Sequence, residues 1–279
     1  MQIESMSSAA ARLHGRRVQS QRELQNVFAD VLAASGQAGF LSAEPTGTDV
    51  ASHEQISETW QTWLETDGYT RYRNMESPSE TWDAFNHLML EALDANAYAA
   101  PQAFLTQLDS SQLSTIQHIH HLAEPIAVDQ LNMEGSLNLL LPPPAQVDLN
   151  NDGLTQSGAA QTIRFPDSRT PRAAADAWYE ATASLTPAER SLRELQMKTD
   201  VLFANIHLDA DGRFSHRSEP GDADWVNPMA DPNYSYVSKT RDILESIEYF
   251  KNQTPPEQYA RDRQFWSEFQ SALRKQGAR

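Results

Sequence analysis

The sequence predicts a mainly α-helical protein: a helical bundle-like body with a small β component and a calcium-type loop between two helical halves. Three observations carry this. Apolar residues recur at helical spacing through most of the chain. Helix-start signals precede these stripes again and again. Runs that alternate apolar and polar residues, as a half-buried strand would, are few.

Residues 1–50 are rich in Ser, Ala, Gln and Gly, with Phe28 and Phe40 the two aromatics. They read as a flexible N-terminal tail with one short amphipathic helix, on which Leu24, Val27, Phe28, Val31 and Leu32 share a face. Four arginines (Arg12, Arg16, Arg17, Arg22) precede that stripe, and the turn-forming "EPTGTD" follows it. An N-terminal helical half is expected over 51–141. Ser52 and Gln55 have the spacing of a capping box, ahead of Ile56, Trp60 and Trp63 on one face. Ser77-Pro78-Ser79-Glu80 repeats the device with Pro at the first helical position, and Trp82, Phe85 and Met89 follow. Asp109 and Gln112 open a third helix carrying Leu113, Ile116 and His120, which Pro125 should end.

"LNLLLPPPAQ" marks a break, and 142–169 is expected to be a Pro-rich connection with the calcium-type loop. A C-terminal helical half over 170–279 either stands apart or forms one domain with 51–141. Its helices start at Thr170-Pro171, at Thr186-Pro187-x-Glu189 and at Thr254-Pro255-Pro256-Glu257. Leu192, Leu195, Leu202 and Ile206 line the second of these. Ile243, Leu244, Ile247 and Phe250 mark a further helix, and Phe265, Trp266, Phe269 and Leu273 point inward from the last. The strand signals are "QTIRFP" at 161–166 and "HLDADGRFSH" at 207–216, where Asp211-Gly212 suits a hairpin turn.

Composition narrows the function classes. The chain has 279 residues, 39% hydrophobic and 9% aromatic, enough apolar material for a core and too much for global disorder. Lys and Arg number 22 against 38 Asp and Glu, a net charge of −16. That balance excludes nucleic acid as a main partner, since phosphate binding rests on clustered cations. Cysteine is absent, so disulfides, a thiolate nucleophile and a cysteine metal cage are all excluded. No apolar run approaches the roughly 20 residues that span a bilayer, and no standard signal peptide is expected.

The segment "VDLNNDGLTQSGA" at 147–159 carries the sharpest motif. Ca²⁺ takes six to eight hard oxygen ligands, and a twelve-residue calcium loop supplies them from alternate positions around a glycine bend. Asp148, Asn150 and Asp152 occupy the first, third and fifth positions, with Gly153 at the bend. Leu154 offers its backbone carbonyl and Gln156 sits at the ninth position. Over 148–156 the segment resembles the calcium loop of EF-hand and dockerin proteins. It departs from them at the twelfth position, where Ala159 replaces a bidentate Glu, and its flanks are not two helices. Glu134 is a candidate for the missing ligand. The resemblance implies a structural Ca²⁺ held by Asp148, Asn150, Asp152, Leu154 and Gln156, with a Kd of roughly 10⁻⁵ to 10⁻³ M.

A second acidic turn, "HLDADGRFS", places Asp209 and Asp211 before Gly212 but has His207 at its first position. Calcium discriminates against imidazole, so a plain hairpin turn is the expectation there. In "QHIHHLAEP", His118 and His121 share a helix face, with Glu124 further along. That pair has no third ligand and no H-E-x-x-H pattern, so the expectation is against zinc at His118/His121. His120 falls on the apolar stripe and reads as a core histidine.

No G-x-S-x-G elbow, P-loop or Rossmann glycine pattern occurs, and no catalytic residue is assigned. The expectation is a non-catalytic calcium-binding protein, with an exported or surface-associated location slightly favoured over the cytoplasm. Two alternatives stand beside it. The basic N-terminus with "NVFADVLAA" is similar in character to export signals of flagellar and type III secretion substrates, with a protein partner reached through residues 18–35. The other is a metal-dependent hydrolase using His118, His121 and a distant carboxylate.

Overall fold

A computed structural model describes residues 2–44, 46 and 51–279, without the side chains of residues 2–11 and 69. Among the described residues there are twelve α-helices and two separate two-stranded antiparallel sheets, a mainly helical fold. None of the helices is long and apolar enough to cross a membrane. The chain divides into two compact units. One comprises Arg12–Asn150 and Leu154–Thr162; the other is built chiefly from Ile163–Arg279 with Asn151–Gly153.

The first unit contains α1 (Gln2–Ala34, from Arg12 on), α2 (His53–Trp63), α3 (Tyr69–Tyr72), α4 (Pro78–Asp94), α5 (Pro101–Leu105), α6 (Ser110–His120) and α7 (Met133–Leu140). Strands β1 (Thr155–Ser157) and β2 (Ala160–Thr162) close it as a short hairpin. Two capping boxes form here as the spacing predicts. The Gln55 amide donates to Ser52 Oγ at 3.1 Å and the Ser52 amide donates to Gln55 Oε1 at 2.9 Å. Asp109 and Gln112 make the same exchange at the start of α6. Ser77 makes no such side-chain bond; α4 relies on Pro78 in its first turn, where a missing N–H costs nothing.

Ile56, Trp60, Trp63, Phe85, Met89 and Ile116 are all buried in one core. Trp60 stacks on Trp63 with ring centroids 5.3 Å apart and meets Phe85 at 5.5 Å. His120 is a core histidine whose two ring nitrogens meet Leu139 O and Gln146 Nε2, each at 3.0 Å.

One expectation for this unit is corrected. The stripe Leu24, Val27, Phe28, Val31 and Leu32 does not end a tail. It lies on α1 and is buried in the same core. Gln25 donates to Pro144 O at 2.9 Å, and Ser20 bonds Thr66 at 2.6 Å. A helix whose apolar face is already buried has none to offer a groove, so residues 18–35 are not a free partner-binding segment. The "EPTGTD" breaker lies largely outside the described residues. Helix α7 falls within the expected helical half, ahead of the three prolines, and is capped by Asn132, whose side chain accepts from the Gly135 amide at 2.7 Å.

The second unit contains α8 (Arg172–Ala181), α9 (Pro187–Met197), α10 (Thr199–Ala204), β3 (Ile206–Leu208), β4 (Phe214–Arg217), α11 (Tyr236–Tyr249) and α12 (Pro256–Lys275). Thr186 and Glu189 form the third capping box. The core gathers Phe165, Trp178, Phe265, Trp266, Phe269 and Leu273. Trp178 meets Phe165 edge-on at 4.8 Å and Phe269 at 5.3 Å. The inward face of α9 differs from the expected one. Leu192 and Leu195 are exposed, while Arg193 and Met197 are buried. Arg193 reaches that depth because its guanidinium pairs with Asp262 at 2.5 Å and lies over the Phe265 ring at 4.9 Å. Ile206 opens β3 rather than extending a helix.

Candidate metal centre

The loop resembling a calcium site is organised by the protein's own groups. Glu134, on α7 and 4% exposed, spends both carboxylate oxygens on backbone amides. Oε2 accepts from Leu149 at 2.9 Å and Asn150 at 3.4 Å, and Oε1 accepts from Gln156 at 2.7 Å. Burial pushes its pKa up to about 7 against the pull of those amides, and the neighbouring Asp148 charge adds to the rise. Gln156 lies in β1; its side chain accepts from Asn132 at 2.8 Å and donates to Gly158 O at 2.9 Å. Asp148 and Leu154 are buried and Asn150 is exposed.

The bend itself is held from within the second unit. Asn227 Nδ2 donates to Asn151 O at 2.9 Å, Trp225 Nε1 to Asp152 O at 3.0 Å and Lys198 Nζ to Gly153 O at 3.0 Å. Lys198 is fully buried and ion-paired with Asp167. Gly153 has φ +88°, and a Cβ there would sit 3.0 Å from Val201 Cγ1, so the glycine answers both a left-handed turn and close packing. Nothing supports Ca²⁺ as the cofactor. A fixed ammonium holds a loop carbonyl, Glu134 is engaged with amides, and the clustered metal donors lie elsewhere.

Two of those donors lie on the hairpin expected to be a plain turn. Asp209 builds that turn: its carboxylate accepts from the Asp211 and Arg213 amides, both at 2.9 Å, and Gly212 takes φ +75°. Asp209 and Asp211 are thus turn residues. The pairing that follows sets His207 of β3 directly opposite His216 of β4. Side chains of directly paired residues project from the same face of a sheet. The two imidazoles accordingly stack, centroids 4.3 Å apart and planes 9° from parallel.

Asp224, from the segment after β4, reaches both rings. Its Oδ2 lies 3.8 Å from His207 Nε2 and 3.8 Å from His216 Nε2. Among the described residues these three form the group of His, Asp or Glu side chains close enough to share a metal ion. A tetrahedral zinc ion with ligands about 2.0–2.1 Å away puts donor atoms roughly 3.3–3.4 Å apart, whereas the three ligand atoms here lie within 4.8 Å of one another, so the group must close on the ion.

Two buried polar residues position the group. Ser218 bonds His207 Nε2 at 2.8 Å and also bonds Asp224. With Ser218 O–H donating to the carboxylate, its oxygen is left to accept from His207 Nε2–H. A metal ion would take the place of that proton. Asn205 fixes the backbone on both sides: its carbonyl accepts from the Ser218 amide at 2.9 Å, its Nδ2 donates to Val226 O at 2.9 Å, and its Oδ1 accepts from the Val226 amide at 2.8 Å. Ser218, then the Asp224 backbone amide and the two imidazoles, hold the Asp224 carboxyl below the usual range, which keeps it in the anionic form a metal requires.

Of the residues first singled out for zinc, His118 is exposed near the end of α6. His121 terminates that helix in a left-handed conformation, φ 53°, and stacks on Tyr72 at 5.2 Å. Burial, and then the nearby Arg71 and His118 charges, lower the His121 pKa. The exclusion of zinc is corrected by location, because the histidine pair with a carboxylate within reach is His207/His216. The signal for it was present in the sequence. Counting outward from a two-residue Asp211-Gly212 turn pairs 207 with 216; the observed turn is longer, with Leu208 opposite Phe214, and a register shift after His207 restores that pair, while Asp224 lies outside the reflection. Comparison with protein-family models, with curated proteins and with solved structures gives no match for this chain.

Proposed function

We propose that this protein binds a divalent transition-metal ion of the zinc class at His207, His216 and Asp224. The observation that carries the reading is the cross-strand pairing of the two histidines with one carboxylate oxygen equidistant from both Nε2 atoms. Two imidazoles and a carboxylate suit Zn²⁺ and its neighbours, whereas Ca²⁺ prefers a shell of oxygens. Three protein ligands leave a fourth tetrahedral place to water or to a donor from another molecule. The ligand side chains of His207, His216 and Asp224 are 34%, 57% and 57% exposed, so that place is open to solvent.

Calorimetric titration with Zn²⁺ tests the reading. The expected result is one ion per chain, with proton release, and loss of at least 100-fold in affinity for His207→Ala or His216→Ala. Wild-type affinity in both variants would overturn it. A metal-dependent hydrolase is the second reading, favoured by the open fourth place. Zinc-dependent hydrolysis of p-nitrophenyl acetate that disappears in His216→Ala would support it, and equal rates with and without the ion would remove it.

A further inference from the structure

A cavity of about 440 Å³ in the first unit is walled by Leu122, Pro125, Ile126, Leu131, Gly158 and Ala160. Its size falls within the range of small-ligand sites, and it opens to solvent on one side. The walls are fixed from behind. Gln117 Nε2 holds Leu122 O at 3.2 Å, and Gln102 Nε2 holds Val128 O at 2.9 Å and Leu131 O at 3.2 Å. The wall at Gly158 is bare backbone with φ +59°; a Cβ there would press on Leu122 Cδ1 at 3.3 Å.

Two further features lie along the rim. The segment from Ala123 to Ile126 runs without regular secondary structure, and the backbone groups of Ala123, Glu124 and Ile126 bond no other described residue. The Glu124 carboxylate is exposed and has no cationic partner among the described residues. The segment bends at Ala123 and Glu124 and lacks an N–H at Pro125, so it is no sheet edge; it offers a peptide a few main-chain bonds beside a hole that selects one side chain.

The geometry points to this cavity as the binding site for a short extended peptide that places a large aliphatic side chain in the hole and a lysine or arginine against Glu124. A basic peptide is also the occupant favoured by a chain of net charge −16. This reading is independent of the metal centre.

The test is an amide NMR titration of the full chain with the capped peptide Ac-Lys-Ala-Leu-Ala-NH2. Saturable shifts confined to residues 122–131 and 158–160 are expected. Ala160→Trp should fill the hole and weaken binding at least tenfold, and Ala127→Trp should do the same, because Ala127 also lines the cavity. Glu124→Gln should weaken binding by about 3- to 5-fold, the scale of an exposed ion pair. The same variant should leave the weaker control Ac-Ser-Ala-Leu-Ala-NH2 unaffected. The inference is overturned by any of three results: no saturable shift at millimolar peptide, unchanged binding in both folded tryptophan variants, or leucine amide binding as tightly as the peptide.

Discussion

The 148–156 loop and the 206–217 hairpin invite opposite readings from sequence and carry the reverse in structure. The loop has donor residues at ligand spacing and a glycine at the bend. Yet its amides are taken by Glu134, and its carbonyls by Asn227, Trp225 and Lys198. The hairpin has an ordinary Asp-Gly turn, yet it brings two imidazoles to one carboxylate. The spacing of a loop motif records what a chain needs in order to bend, and Asp, Asn and Gly serve bends with or without an ion. A metal site is defined by donors converging in space, and pairing across strands produces such convergence from residues that share no local motif.

The largest expected effect comes from breaking the loop's internal support. Lys198→Met leaves Asp167 buried and unpaired and removes the donor to Gly153 O. It should destabilise by about 3–5 kcal/mol in urea unfolding, with partial recovery in the Lys198→Met/Asp167→Leu double variant. A loss below about 1 kcal/mol would mean the ammonium is dispensable and would reopen the contrast between loop and hairpin.

Glu134→Ala comes next. It deprives the Leu149, Asn150 and Gln156 amides of their carboxyl acceptor, which should cost about 3 kcal/mol near pH 5.5. The pH dependence has a definite sign. The Glu134 pKa is raised from 4.5 to about 7 in the folded chain, so the folded state holds this proton more tightly than the unfolded one. Its contribution is full below about pH 4.5 and is lost as pH rises through about 7, a change on the order of 3 kcal/mol. The Tm of the wild type minus that of Glu134→Gln should therefore be more positive at pH 5 than at pH 8; a difference that grows toward alkaline pH would reverse the assignment.

The helical frame was legible because its determinants are local. Ser52/Gln55, Asp109/Gln112 and Thr186/Glu189 each form the reciprocal cap that their spacing predicts. The stripes at Trp60/Trp63 and Phe265/Trp266/Phe269 are buried, as period 3.6 requires. The failures are non-local. On α9 the leucines face solvent because Arg193, through Asp262 and Phe265, takes the inward place. The α1 stripe looked like the end of a tail because composition says nothing about what a helix packs against. At the metal centre, hairpin register could pair His207 with His216. No local rule brings Asp224 back to them; that return depends on Asn205 and Ser218, two buried polar residues whose importance shows only in three dimensions.

Ser218 offers a sharper and smaller test of the centre. Ser218→Ala removes the hydroxyl bonded to both His207 and Asp224 while keeping the backbone bond to Asn205. Because the ion would displace the Ser218 bond to His207 Nε2, the hydroxyl acts as an outer partner only through Asp224, and its loss from that carboxylate should lower Zn²⁺ affinity about 10- to 100-fold without changing the one-ion stoichiometry. An unchanged Kd would leave Ser218 a merely structural residue and shift the positioning role to Asn205.

The smallest expected effect discriminates most cleanly between a metal ligand and a structural residue. Asp224 is more than half exposed, and its contacts to the imidazoles, 3.8 Å long, lie at the limit of ion-pair reach. In chelator-treated protein, Asp224→Asn should leave the urea midpoint nearly unchanged, as surface changes do. With zinc present the wild type should gain roughly 2.7 kcal/mol at about 100 times Kd, and the variant far less. A structural role predicts the opposite pattern, a loss in metal-free protein that zinc does not enlarge. The same pair of measurements on Asp152→Asn in the loop should show the wild-type gain from zinc, because that loop takes its order from Trp225, Asn227 and Lys198 rather than from an ion.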